Sequence, residues 1–432
     1  MIVNNIQKMK VVIIGAGFAG LKVARGLNNV SGIEVLLLDQ YNYHQFQPLF
    51  YQVATAGLDA SNISFPLRKL FQRSKNVRIR LAKVLSVEIA SNKLTTDIGD
   101  IEYDQLIIAT GADTNFFGNK QLMEHTYPMK STTEALQIRH HLLKNFEEVL
   151  STTDDEERQR KMNIVIVGGG PTGVEMSGAI AEMKIHNLPG DYPEIDFSQM
   201  QIILLEGGGE TLGPMSKKSQ DQSKEYLEKL GVKVMLNSKL ESYDGKTIVL
   251  ASGEKIETST VIWAAGIRGN VPAGIDTTLI VRGNRIKVDR YNKVMGQQNI
   301  FAIGDVAFME TPAYSNGHPQ LANVAINQGK VLANNLKSIN LKSTQLQEFE
   351  YHDKGTMATV GRNLAVVDIP KPKLHFGGFI AWVIWMSLHL FLILGVKNRV
   401  QIFINWIYKY FTHDQSLRLL FKSYYRDNKQ RE

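Results

Sequence analysis

Two short stretches of the chain carry the glycine spacing that holds a dinucleotide. Gly15-Ala16-Gly17-Phe18-Ala19-Gly20 and Gly168-Gly169-Gly170-Pro171-Thr172-Gly173 both place glycines at i, i+2 and i+5. At a helix start this spacing lets backbone N–H groups approach a pyrophosphate, whose charge the helix dipole favours. Gly15 makes the tight turn, Gly17 admits the phosphates and Gly20 lets helix and strand pack, and Gly168, Gly170 and Gly173 repeat those parts. A carboxylate further along can accept the ribose hydroxyls. Asp39 lies nineteen residues past Gly20, whereas Glu206 lies 33 past Gly173, the excess being a loop from Leu188 to Gln199. No Lys or Arg follows Glu206 until Lys217, so nothing nearby would hold a 2′-phosphate, which favours NAD(H) over NADP(H). The plainer alternative, a tight strand–helix turn with a structural acid, stays open for the second stretch.

The elements around these stretches are those such a site needs. Lys10 to Ile14 is a β-branched run that reads as a buried strand, with a helical pattern through Leu27 and a second strand, Ile33 to Leu38, ending at Asp39. The same order recurs as strand Asn163 to Val167, a helix to about Asn187, and strand Gln201 to Leu205 ending at Glu206. Between them, Val77 to Ile108 reads as a β-meander, 132–150 as a helix and the charged run Asp154 to Lys161 as a linker. Val261 to Gly266 echoes the earlier Ile107-Ile108-Ala109-Thr110-Gly111, and Ile300 to Asp305 precedes a helical stretch near 320–337. Residues 341–375 read as short strands and turns. The fold class is therefore α/β, with two Rossmann-like dinucleotide-binding domains. Two such domains imply two dinucleotides, one held and one exchanged.

Composition narrows the chemistry. The chain has 432 residues and no cysteine, which excludes disulfides, zinc–cysteine and iron–sulfur sites and any dithiol relay. The ten histidines are scattered, and neither His140-His141 nor His389 has ligand-like company, so no metal is expected. Net charge is +7, and residues 371–432 alone hold ten basic and three acidic residues, leaving a neutral body. That body argues against nucleic acid, and a basic tail interleaved with Trp, Phe, Ile and Leu suits a membrane surface. Asn398, Gln401, Asn405 and Lys409 form one narrow polar stripe on an otherwise apolar helix. Phe376 to Val396 has no charged residue and is long enough to span a bilayer. Spanning would put the basic end outside, so an in-plane segment is preferred. Met1 to Lys10 shows no signal or transit pattern.

Taken together, GAGFAG with Asp39, YDQLIIATG, GGGPTGVE, WAAG and FAIGD resemble the two-dinucleotide-binding-domain flavoproteins over roughly residues 10–330. The resemblance implies FAD on Gly15, Gly17, Gly20, Asp39, Thr110, Gly111, Gly304 and Asp305, and NADH as substrate on Gly168, Gly170, Gly173 and Glu206. Without cysteine the disulfide reductases, cysteine-dependent oxidases and sulfide:quinone reductases drop out. Gln47 to Ala54 (QPLFYQVA), GTMATVGRN at 355–363 and the tail 376–411 then resemble type II NADH dehydrogenase, the single-subunit, non-proton-pumping NADH:quinone oxidoreductase. That family implies hydride transfer from NADH to flavin N5, then two-electron reduction of menaquinone or ubiquinone. It suggests Glu175 as a catalytic group near nicotinamide and flavin, and Tyr51, Asn323, Ile326 and Asn327 on the quinone side. A first-turn carboxylate and core packing are the plainer readings of Glu175, and of Tyr51 and Ile326. The family's quinone-side AQxAxQ is here Ala322-Asn323-Val324-Ala325-Ile326-Asn327, with both glutamines shortened to Asn.

The expected organisation is an FAD domain from 8–120 and 270–340, an NADH domain at 121–269, and a C-terminal region at 341–432 with membrane-anchoring amphipathic helices at 376–432. Expected partners are the lipid surface and quinone, with room for a homodimer and none for nucleic acid, at the cytoplasmic face of a membrane as a peripheral, monotopic protein. Three alternatives stand beside this reading: a membrane-associated NAD(P)H dehydrogenase with another acceptor, a soluble NADH oxidase, and an apoptosis-inducing-factor-like flavoprotein.

Overall fold

In the computed structural model, which describes residues 8–421, the chain divides into two compact units. Among the described residues the first comprises 8–45, 64–115 and 267–353, and the second 46–63, 116–266 and 354–421. Tail residues 422–432, with four of the ten basic side chains, lie outside the described residues.

The first unit is built on a five-stranded parallel sheet in the order Ile300–Ala302, Gln105–Ile108, Met9–Ile14, Ile33–Asp39, Val77–Leu81. Its central strand is β-branched because a parallel sheet is covered on both faces, and Val11, Val12 and Ile13 have no exposed surface. Each such side chain contributes roughly 1.5–3 kcal/mol on burial. Helices Phe18–Gly26 and Ala322–Asn340 pack closely, since a side chain at Gly329 would sit 2.6 Å from the Ala19 carbonyl. The expected meander is confined to Val84–Glu88, Lys93–Thr96 and Gly99–Glu102, while the flanking runs at 77–81 and 105–108 join the parallel sheet.

The second unit repeats the plan. Its parallel sheet runs Tyr127–Pro128, Thr260–Trp263, Ile164–Val167, Ile202–Leu205, Val232–Met235, with a three-stranded antiparallel meander over 240–257. The charged run is no linker but a helix, Asp155–Met162. The Asp154 carboxylate accepts from the amides of Glu156 and Glu157, three acids fill the first turn, and bases fill the last. Charge had suggested solvent; its order along the helix axis stabilises the helix.

The C-terminal part of this unit is an antiparallel sheet, Thr356–Gly361, Leu364–Ile369 and Leu374–Gly377, followed by helices Gly378–Leu392 and Val396–Thr412. The uncharged run 376–396 is thus broken into strand, a fifteen-residue helix and a turn at Gly395. Among the described residues no helix is long and apolar enough to cross a membrane. Strand Thr356–Gly361 lies against helix Pro171–His186 at Gly178, where a Cβ would stand 1.5 Å from the Val360 carbonyl oxygen. Gly178→Ala is therefore expected to lower stability by roughly 1–3 kcal/mol through overpacking. Gly190→Ala, with nothing within 4 Å of its Cβ, serves as the control, both measured by thermal unfolding of the purified protein.

Candidate active site

The two glycine-rich turns are near copies in geometry. Gly15 has φ +99° and a Cβ there would lie 2.3 Å from the Ala109 carbonyl oxygen; Gly168 has φ +111° and would meet the Ala264 carbonyl at 2.6 Å. At Gly20 and Gly173 a Cβ would strike the carbonyl of the turn's own first glycine, at 1.9 and 1.8 Å. Gly17 and Gly170, by contrast, face open space. These two are the N-caps of their helices, Phe18–Gly26 and Pro171–His186, and neither helix start receives a side-chain cap. Bare amides at a helix start with room in front of them fit a pyrophosphate.

Each turn is held by the acid at the end of the next strand. Asp39 accepts from the amides of Ala16 at 2.6 Å and Tyr41 at 2.7 Å. Glu206 accepts from Gly169 and Gly208, both at 2.6 Å. Burial raises the Asp39 carboxyl above its usual range against those hydrogen bonds. Glu206 also lines a cleft of about 870 Å³ with Gly168, Gly170, Trp263 and Ala265. In the first unit, Thr110 Oγ1 donates to the Asn270 carbonyl at 2.5 Å, and Gly111 has φ +68° with open space at its Cβ. The Gly304 amide donates to Gln328 Oε1 at 2.7 Å, and Gln320 holds the Asp305 carbonyl at 2.9 Å. Gln328 and His44, whose ring lies 2.9 Å from the Ala16 carbonyl, support these turns without having stood out in the sequence.

A separate cavity in the second unit gathers Tyr51 and Glu175. Glu175, Ala179, Glu182 and His186 line it from helix Pro171–His186, at the spacing of one helix face. Thr359 and Arg362 come from the C-terminal sheet, and Trp385 and Trp406 from the two helices that follow. Glu175 is 8% exposed and accepts a 3.4 Å hydrogen bond from the Thr359 amide. Burial pushes its carboxyl up to about 8, against the Thr359 amide and the Trp385 side chain, which favour the charged form. The Tyr51 hydroxyl accepts from Gln52 Nε2 at 2.7 Å, and Trp406 Nε1 donates to Gln52 Oε1 at 2.9 Å. Burial, then the nearby Glu175, hold the phenol well above its ordinary range. Trp385 stacks on His389 with ring centres 4.0 Å apart, and burial lowers that imidazole to about 4.

Asn323, Ile326 and Asn327 belong to the first unit, on helix Ala322–Asn340, and all three are half-buried. Asn327 Nδ2 donates to the Asn323 carbonyl at 2.8 Å and to its Oδ1 at 2.9 Å. The two amides thus pair with each other.

The polar stripe on the last helix turns inward rather than to water. Asn398 is buried and donates to the carbonyls of Ser61 and Asn62, and Lys409 reaches Glu182 at 3.5 Å, while Gln401 alone of the four is exposed. The outward face carries Phe403, Ile404, Ile407 and Phe411, and the preceding helix adds Phe379 and Phe391, all more than 40% exposed. An apolar outside with a polar inside reverses the pattern of a water-soluble helix.

Comparison with known proteins agrees with this layout. Residues 9–329 match the family model for pyridine nucleotide-disulphide oxidoreductases, and 353–413 match that of the NDH2 C-terminal domain. Two relatives from Mycobacterium tuberculosis, the type II NADH:quinone oxidoreductases Ndh and NdhA, are 33% and 35% identical. The alignments cover 93% and 92% of this chain and 88% and 86% of theirs. The fold is similar to that of NDH2 from Plasmodium falciparum solved with NADH, with a TM-score of 0.84 at 22% identity, over 96% of this chain and all of that one. Two glycine-rich turns, each closed by its own acid, and a C-terminal region matched along most of its length place this chain in the type II NADH:quinone oxidoreductase family.

Proposed function

We propose that this protein oxidises NADH and reduces a quinone to its quinol, with FAD as the resident cofactor. The observation that carries the reading is a cavity that gathers a buried carboxyl, Glu175, with Tyr51 and tryptophans at its wall, where burial raises that carboxyl to about 8. The first glycine-rich turn, with Asp39, Thr110, Gly111, Gly304 and Asp305, would hold FAD; the second, with Glu206, would hold NADH. Open space at Gly17 and Gly170 supports both assignments. When bound, the flavin carries reducing equivalents from NADH to the quinone. The chain's own residues do the rest. A quinone becomes a quinol by taking up the equivalent of a hydride, which the reduced cofactor would supply, and one proton; a neutral Glu175 has that proton to give at the cavity wall and would regain one from solvent between turnovers. Tyr51, fixed by Gln52, stays a neutral phenol and can hydrogen-bond a carbonyl without ionising. Asn323, Ile326 and Asn327 remain the first unit's candidates for the quinone side.

The outward apolar face of the last two helices supports a peripheral seat on a membrane, from which a quinone's tail could stay in lipid while its head enters the cavity. The same helices close the cavity, so removing them would damage the site as well as the anchor. Surface substitutions are the cleaner test. Ile404→Asp with Phe411→Glu is expected to abolish flotation with liposomes while thermal stability and flavin content stay unchanged; retained flotation would contradict the anchor.

Glu206→Gln replaces one oxygen that accepts an amide hydrogen by an NH2 group and removes a charge from the ribose site. NADH affinity should fall by roughly 1–3 kcal/mol, read from the concentration dependence of flavin bleaching.

The pH dependence follows from Glu175. The proton it would donate is present below about 8 and lost above, so the wild-type rate of quinone reduction should fall as pH rises through that value. Glu175→Gln should lose about 10²-fold in that half-reaction and lose the pH limb with it. The stability effect has a definite sign. Between the ordinary 4.5 and the raised value of about 8 the folded state binds more protons than the unfolded, so burying Glu175 costs more as pH rises through that window. The melting temperature of Glu175→Gln should therefore gain on wild type from pH 5 to pH 9.

A further inference from the structure

The cavity wall includes a further polar side chain. Gln415 lies just past the 353–413 stretch matched to the C-terminal domain and lines the same space as Tyr51 and Glu175. It is 1% exposed, and neither Oε1 nor Nε2 has a hydrogen-bond partner among the described residues. Buried amides without partners are rare in folded proteins, because the groups give up water and get nothing back.

The backbone around Gln415 is pinned as a built site would be. Helix Val396–Thr412 ends at His413, whose φ of +58° turns the chain and whose carbonyl accepts from Asn187 Nδ2 at 3.0 Å. Three residues past Gln415, the Arg418 guanidinium grips both oxygens of Asp191, reaches Asp414 at 3.1 Å and donates to the Gln415 carbonyl at 2.5 Å. The Leu417 amide donates to the Ala56 carbonyl at 3.3 Å. Ties on both sides of residue 415 hold its side chain at the cavity wall, so its free amide is not a matter of a loose tail.

The chemistry of that amide fits one class of guest. An oxidised para-quinone offers only carbonyl acceptors, and its quinol offers hydroxyl donors as well. A carboxamide serves both states, donating from Nε2 to the carbonyl and accepting at Oε1 from the hydroxyl. At Asn323 and Asn327, by contrast, the Asn327 Nδ2 is already engaged by the Asn323 carbonyl and Oδ1. We propose that Gln415 is a substrate-binding residue that hydrogen-bonds one oxygen of the quinone head in the cavity it shares with Glu175. This rests on the reading of that cavity as the quinone site.

The test uses full-length protein, a short-chain 1,4-benzoquinone and menadione, with all rates taken per bound flavin. Gln415→Met keeps length and burial but removes both hydrogen-bonding atoms, and Gln415→Asn keeps the amide one methylene short. The expected result is a roughly tenfold higher quinone KM in the Met variant and about threefold in the Asn variant, with kcat changed less than either. If the Met variant loses its flavin, the threefold shift in the Asn variant decides. An unchanged KM, or a slowing of flavin reduction by NADH in step with quinone reduction, overturns the proposal. Trp382→Leu, at the same cavity wall, separates the two levels. A KM shift there without one at position 415 leaves the cavity as the quinone site and removes Gln415 from it, and no shift in either variant removes the cavity itself.

Discussion

The carbonyl oxygen of Val360 occupies the place where a side chain at position 178 would have to be. Only a glycine in the middle of helix Pro171–His186 lets the C-terminal sheet come that close, and much of the second unit's chemistry follows from the contact. The sheet brings the Thr359 amide to Glu175 and the Arg362 amide to Glu182, on the helix whose first residues form the second glycine-rich turn. One helix therefore presents free amides at its N-terminus and a line of titratable side chains along its flank. The second glycine-rich turn and the cavity share this one helix.

Burial on this helix is selective. Glu175 is enclosed by Thr359 and Trp385, and burial raises its carboxyl to about 8, whereas Glu182, seven residues on, meets Lys409 and the Arg362 amide. Two carboxyls on one face thus have different surroundings, one dominated by desolvation and the other supplied with hydrogen-bonding and charged partners. The aromatic wall of Trp385 and Trp406 contributes the low polarity that the first requires. Glu175 would be the costly group of the fold at high pH, a cost consistent with a proton-donating role and without evident benefit to packing.

What could be read in the sequence was whatever a local segment must satisfy by itself. A tight turn before a helix demands glycine at Gly15 and Gly168, and the acid that closes each turn sits at the end of the next strand, so both turns were legible. Orientation across long separations was not. The stripe of Asn398, Asn405 and Lys409 was visible as a stripe, but its partners, Asn62 and Glu182, lie more than two hundred residues away, and only the fold shows that it turns inward. The run from Asp154 was read by its charge, although the order of those charges, acids first and bases last, signals a capped helix. Tyr51 was picked out by motif resemblance, and its neighbours Gln52 and Thr359 lay inside motifs already noticed. Gln415 sits in an unremarkable polar stretch, and its isolation is a property of the folded chain alone.

The state of the Glu175 proton is the point on which the account turns, and infrared difference spectroscopy observes it directly. The protein should show a protonated-carboxyl stretch that titrates with a midpoint near pH 8, shifts when a short-chain quinone is added, and is missing in Glu175→Gln. A carboxyl already ionised at pH 6, or a band indifferent to the quinone, would contradict the account.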